Sequence, residues 1–136
     1  MIRAVCFALA LLASASASNA AEIVIHDAKS QPESMAVGPD GTLYVGSAST
    51  PYVYTVKKGA TTAAPFIDAS AAGPGTFFFG VLADAATHTL WTCQLTPVAG
   101  ASPARRSTAL RGFDLKSGAP KLIWTLPGDN STCNDF

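Results

Sequence analysis

The residues able to do chemistry are few and scattered. Glu33 and the Asn134-Asp135 pair carry carboxylate and amide oxygens, the donors that hard divalent cations take. Cys93 and Cys133 lie downstream of an N-terminal apolar run. With Cys6 inside that apolar run and expected to be cleaved off, the two that remain allow one connectivity, and an exported pair can oxidise. Spacing alone leaves two separately buried thiols equally open. His26 and His88 stand apart, with no second ligand at metal spacing, and His88 falls in a turn that exposes it. Ser47 and Ser49 lack the Gly-x-Ser-x-Gly elbow of a serine hydrolase. Gly73-Pro74-Gly75 is followed by neither Lys-Ser/Thr nor a helix, so it cradles no phosphate. Arg105-Arg106 reads as a solvated pair in a loop. Trp91 and Trp124 sit in apolar strands and read as packing, not as ligand-stacking surfaces. Asn130-Ser131-Thr132 is a formal glycosylation triplet.

Composition narrows the classes further. Nine basic residues balance nine acidic ones, 13% of residues are charged, and 49% are hydrophobic. That is too little charge for a solvated disordered chain, and it leaves no electrostatic footprint for nucleic acid. At 136 residues the chain holds one domain at most.

The first twenty residues read as a secretory signal peptide. Arg3 supplies the positive charge, residues 4–13 form the apolar run, and residues 14–21 are small. Cleavage after Ala20 fits, with Ala17 the competitor. An apolar run of about ten residues is too short for a bilayer, which needs ~20. The expectation is a periplasmic or secreted protein, with no membrane contact after cleavage.

From Glu22 onward the pattern is strand and turn. No stretch of eleven residues sustains a 3.6 period, and short β-rich runs are cut by Gly, Pro, Asn and Asp. Strands are expected at 23–25, 34–38, 42–46, 51–56 and 63–67, with Pro65 hinting at an edge. The order then begins again, with strands at 76–83, 89–92, 108–114 and 120–126 and a polar loop at 96–107. Val37 falls against Val81, and Asp40 against Asp84, at an offset of 44. Leu43-Tyr44 falls against Leu90-Trp91 at an offset of 47, and Asn134 falls against Glu33. Four-strand units at this period suggest propeller blades, with an antiparallel sandwich as the competitor. The fold class is therefore all-β, a partial β-propeller of two four-stranded blades plus the first strand of a third. Blade 1 spans about 31–68, blade 2 about 74–127, and the start of blade 3 131–136.

The segment 32–45, with Pro39-Asp40-Gly41 at its turn, resembles the first inner hairpin of the gluconolactonase, senescence-marker-protein and luciferin-regenerating-enzyme-like (regucalcin-like) family. Segments 80–84 and 90–93 resemble its second unit. Cys133-Asn134-Asp135-Phe136 resembles the opening of its third, and the related paraoxonases show a similar pair and a similar early Glu. The resemblance implies a six-bladed propeller with a divalent metal in its central channel. Six blades need about 270 residues, so it also implies that 21–136 is the N-terminal part of such a domain.

What the resemblance implies for the site is a shared axis. Glu33 and Asn134 would lie on innermost strands and point oxygens at one cation, Ca²⁺ first, with Zn²⁺ and Mn²⁺ as alternatives. Asp135 matches a residue of a deeper second site, whereas Ser34 is a weak donor there. Phe77 or a neighbour would hold the equivalent place in the second unit and give no ligand. The implied activity is hydrolysis of a small-molecule lactone or ester, incomplete in this chain because further ligands and the general base would come from later blades. The competing readings are a non-catalytic exported propeller that binds a small molecule or protein, and a non-functional gene fragment. For Glu33 the plain alternative is a solvated acid, and for Asn134 a strand-start residue.

Overall fold

The computed structural model describes residues 22–102, 104–128 and 131–136. The expected signal peptide and Asn130 of the glycosylation triplet lie outside the described residues. Among those residues there is no α-helix. β1 (Val24–Ile25) is followed by β2 (Pro32–Val37), β3 (Leu43–Ser47), β4 (Tyr52–Val56) and β5 (Thr62–Asp68). A single 3-10 turn at Ser70–Ala72 leads to β6 (Phe77–Asp84), β7 (Thr89–Pro97), β8 (Arg106–Asp114) and β9 (Pro120–Thr125). Strands β2 to β5 and β6 to β9 form two antiparallel meanders. The result is an all-β partial propeller of two four-stranded sheets.

Aspartates set the hairpin turns. Asp40 accepts from the Thr42 N–H at 2.9 Å and from the Thr42 hydroxyl at 2.9 Å. Asp84 accepts from the Ala86 N–H at 2.9 Å and from the Thr87 hydroxyl. Asp114 accepts from the Ser117 N–H at 2.9 Å and the Ser117 hydroxyl at 2.8 Å. Such side-chain bonds offer the backbone a turn in place of a longer strand. Gly118 ends the third of these turns at φ 71°, where a Cβ would be strained.

Strand alternation then sorts the side chains. Tyr44, Val53 and Ile67 of the first sheet meet Phe78, Val81, Leu90 and Phe113 of the second, with Leu115 from the last turn. Burying each large apolar side chain is worth roughly 1.5–3 kcal/mol. The Tyr44 hydroxyl crosses the seam and donates to the Leu115 carbonyl at 2.7 Å. The reverse face of the first sheet buries Val45, Tyr54, Val56 and Ala63, against which Ile25 packs.

Several expectations change. The strand expected at 23–25 is β1, which pairs in parallel with β5, Val24 against Thr62 and Ile25 against Ala63, because that edge of the first sheet is open to it. The loop 96–107 is shorter, since Thr96 pairs with Ser107 and Pro97 with Arg106. Arg106 therefore begins β8 and lies 5.6 Å from the Phe77 ring centre, so it is no simple loop charge. Trp124 is 66% exposed on the outermost strand, where no further strand covers it, so it packs less than expected. Trp91 is half-buried and reaches over Gly112.

Candidate functional site

The innermost strand of each sheet carries an irregularity at the same place. In the first hairpin Pro32 pairs with Ser47 and Met35 with Val45, so Glu33 and Ser34 together face Gly46. In the second, Phe78 pairs with Gln94 and Val81 with Thr92, so Phe79 and Gly80 together face Cys93. Two residues against one is a β-bulge, a device that re-aims side chains. The bulges make Phe79 the counterpart of Glu33 and Gly80 the counterpart of Ser34. This corrects the offset of 44 read for the inner strands, because the turn after β6 is built differently from the turn after β2. It also names Phe79, not Phe77, as the side chain without a donor oxygen.

The two bulges touch. The Ser34 hydroxyl accepts from the Val81 N–H at 3.1 Å. A Cβ on Gly46 would sit 2.6 Å from the Phe79 carbonyl oxygen, so only glycine lets β3 lie on the second bulge. On its other side that bulge meets the segment 131–136. The Gly80 N–H donates to the Asn134 carbonyl at 2.8 Å. A Cβ on Gly80 would lie 2.8 Å from Asp135 Cα and 3.0 Å from the Asn134 carbonyl oxygen. At this bulge the neighbouring segments satisfy two backbone donors of the edge strand, the N–H groups of Val81 and Gly80.

The cysteines are joined. Cys93 and Cys133 form a disulfide with their Cα atoms 5.4 Å apart. Cys93 is fully buried, and Cys133 is half-buried. The bridge runs from the residue facing the bulge to the residue before Asn134. The Thr108 hydroxyl donates to the Ser131 carbonyl and holds the start of the same segment.

Glu33, Asn134 and Asp135 are exposed. Glu33 and Asn134 thus flank one bulge, each next to or at a residue bonded to it. Among the described residues no three His, Cys, Asp or Glu side chains group as metal ligands. The donors present are oxygens of the kind a hard cation accepts, and two of them are fewer than the 6–8 that Ca²⁺ takes. They fit as part of a donor set.

The remaining candidates have other work or none. The Ser47 hydroxyl, fully buried, accepts from the Gln31 N–H at 3.2 Å, which is a structural use. His88 is exposed in a turn, and its carbonyl accepts from the Leu115 N–H at 3.1 Å. A cleft of about 620 Å³ lies elsewhere on the first sheet, lined in part by His26, Asp27, Lys29, Tyr52 and Tyr54. There the Tyr54 hydroxyl donates to Asp27 at 2.6 Å. Desolvation, then this bond to a carboxylate, pushes the Tyr54 hydroxyl up to about 12. The Tyr54 bond, first, and the Lys29 N–H hold Asp27 below the usual carboxylate range.

Sequence reasoning missed Ser34, Gly46 and Gly80 as the residues that seat the strands on one another. The signal was there in part, because glycine inside an apolar strand run marks a bulge or close backbone approach. In comparisons with known families, residues 19–49 match a strictosidine synthase-like N-terminal family model. That stretch includes β1, β2 and β3, and so Glu33, but stops before the second sheet. No curated protein and no solved structure matches the chain.

Proposed function

We propose that this chain is the N-terminal portion of an exported, metal-dependent lactone or ester hydrolase of the gluconolactonase-like type, with Ca²⁺ as its cation and Zn²⁺ or Mn²⁺ as alternatives. One observation carries the reading. The strand bearing Glu33 and the segment bearing Asn134 meet the same bulge, through Ser34 to Val81 and through Asn134 to Gly80. The strictosidine synthase-like match supports a propeller family in broad terms.

In this reading Glu33 and Asn134 hold the cation together with oxygens that neither of them supplies. When bound, the cation polarises the ester carbonyl and stabilises the oxyanion that develops. The chain's own residues provide position. Ser34 fixes the backbone beside Glu33, and Gly80 lets the backbone of Asn134 and Asp135 approach β6. No side chain is assigned as general base.

Calorimetric titration with Ca²⁺ tests this. The expected affinity is weak, on the order of millimolar, as for sites with few charged ligands. Glu33→Gln should weaken it at least tenfold. An affinity untouched by Glu33→Gln overturns the assignment. Lactone binding of equal strength with and without Ca²⁺ would favour the non-catalytic propeller.

A further inference from the structure

Gly46 and Cys93 occupy the same place in their sheets, each alone across from a bulge. In the first sheet that place receives the next inner strand by close packing, since a Cβ on Gly46 would meet the Phe79 carbonyl. In the second sheet it receives the next segment through a covalent bond, Cys93 to Cys133. The consequences differ. β6 is held by pairing with β7 at six positions and by the apolar core. The segment 131–136 has no strand pairing. Asn134, Asp135 and Phe136 are exposed, and Phe136 is 51% so. Its described ties are the disulfide, the Gly80 to Asn134 bond, the Thr108 to Ser131 bond and a local bond from the Ser131 hydroxyl to the Pro127 carbonyl.

We infer that the Cys93–Cys133 disulfide is a redox latch that seats Asn134 on the β6 bulge, so that its reduction releases Asn134 from Gly80 and weakens cation binding at the Glu33–Asn134 site. The coupling to the cation rests on the function proposed above. The latch itself does not.

The half-buried Cys133 is the more accessible sulfur, whereas Cys93 is fully buried. A dithiol reductant attacks Cys133 as a thiolate, forming a mixed disulfide and expelling Cys93 as a thiolate, which takes up a proton. The second thiol of the reductant then displaces Cys133. Two electrons and two protons pass to the protein, which ends with two thiols, and the reductant ends as a disulfide. Release follows from chain entropy. Cys93 and Cys133 are 40 residues apart, and without the bridge a single backbone bond must order the exposed end.

Amide hydrogen exchange on the full oxidised chain, with and without dithiothreitol, tests the latch without any metal. The expected result is at least tenfold faster exchange at Gly80 on reduction and in Cys133→Ser. Exchange at Val81, bonded to Ser34 on the opposite flank, should be unchanged. Unchanged protection at Gly80 overturns the latch. Uniform acceleration at Val81 and across both sheets also overturns it, because the bridge would then support the whole fold. Calorimetry with Ca²⁺ in both redox states separates the second claim. A dissociation constant at least fivefold larger after reduction supports the coupling, and an equal one overturns it. Binding absent in both states, with Gly80 loosened, removes the cation reading and the coupling while the latch stands.

Discussion

The Ser34 hydroxyl takes a hydrogen bond from the Val81 backbone N–H at 3.1 Å, joining the bulge of one inner strand to the bulge of the next. Val81 is 5% exposed, so water is a poor substitute for this acceptor. The contact spans the seam between the two sheets. It places one backbone donor of the edge strand β6, beside its bulge, in the care of a side chain from the neighbouring sheet.

Ser34→Ala should therefore leave a buried N–H without a partner. The expected cost is about 1–3 kcal/mol. Urea unfolding monitored by tryptophan fluorescence measures it. A loss below about 0.5 kcal/mol, half an ordinary hydrogen bond, would mean that the Val81 N–H finds another acceptor.

Gly46→Ala places a methyl group 2.6 Å from a backbone oxygen of Phe79, which cannot rotate away. One sheet must shift against the other, at an expected cost of about 1–3 kcal/mol. Gly59→Ala is a useful contrast, because nothing lies within 4 Å there and its φ of 81° makes the strain purely local. Thermal unfolding of the two variants, with near-UV dichroism for the aromatic seam, separates a packing effect from a backbone effect.

The hairpin aspartates predict acid sensitivity. The Thr42 N–H, first, lowers Asp40, the Thr87 hydroxyl, first, lowers Asp84, and the Ser117 N–H, first, lowers Asp114. A carboxyl held below its unfolded value stabilises the fold at pH above that value, 3.8 here, and the gain is lost as pH falls through the folded value. The melting temperature should be level around neutral pH and decline below about pH 4. Asp114→Asn should reduce the acid-induced decline, because one of the groups has been removed.

Tyr54 predicts the opposite end of the scale. Its hydroxyl is pushed up to about 12 from 10.0, chiefly by desolvation. A group raised in the folded state stabilises the fold below its unfolded value and loses that contribution as pH rises through the folded one. Stability should thus decline between about pH 10 and pH 12. Absorbance at the phenolate band should show Tyr44, raised by desolvation, and Tyr54 both titrating late, and Tyr54→Phe should remove the step at about pH 12.

Much of this architecture could be read from the chain. Short apolar runs cut by Asp and Gly announced the hairpins, and Asp40 and Asp84 both serve turns, although Asp84 opposite Thr89 matches Gly38 opposite Thr42. That information is local, since turn chemistry and alternation depend on neighbours in sequence. The equivalence of the inner strands was misjudged because a bulge adds a residue without leaving a clear mark, and Gly80 was a faint one.

The amino-acid sequence by itself determined an all-β chain, its turn positions, and which side chains could offer oxygen or sulfur. Tertiary structure decided which of those groups meet. Cys93 could have been a lone thiol, β1 could have lain elsewhere, and Ser34 carried no sign of its partner. The physical reason is distance along the chain. Pairing of Cys93 with Cys133, of Val24 with Thr62, and of Ser34 with Val81 depends on how sheets pack, and packing sums many contacts that no local pattern records.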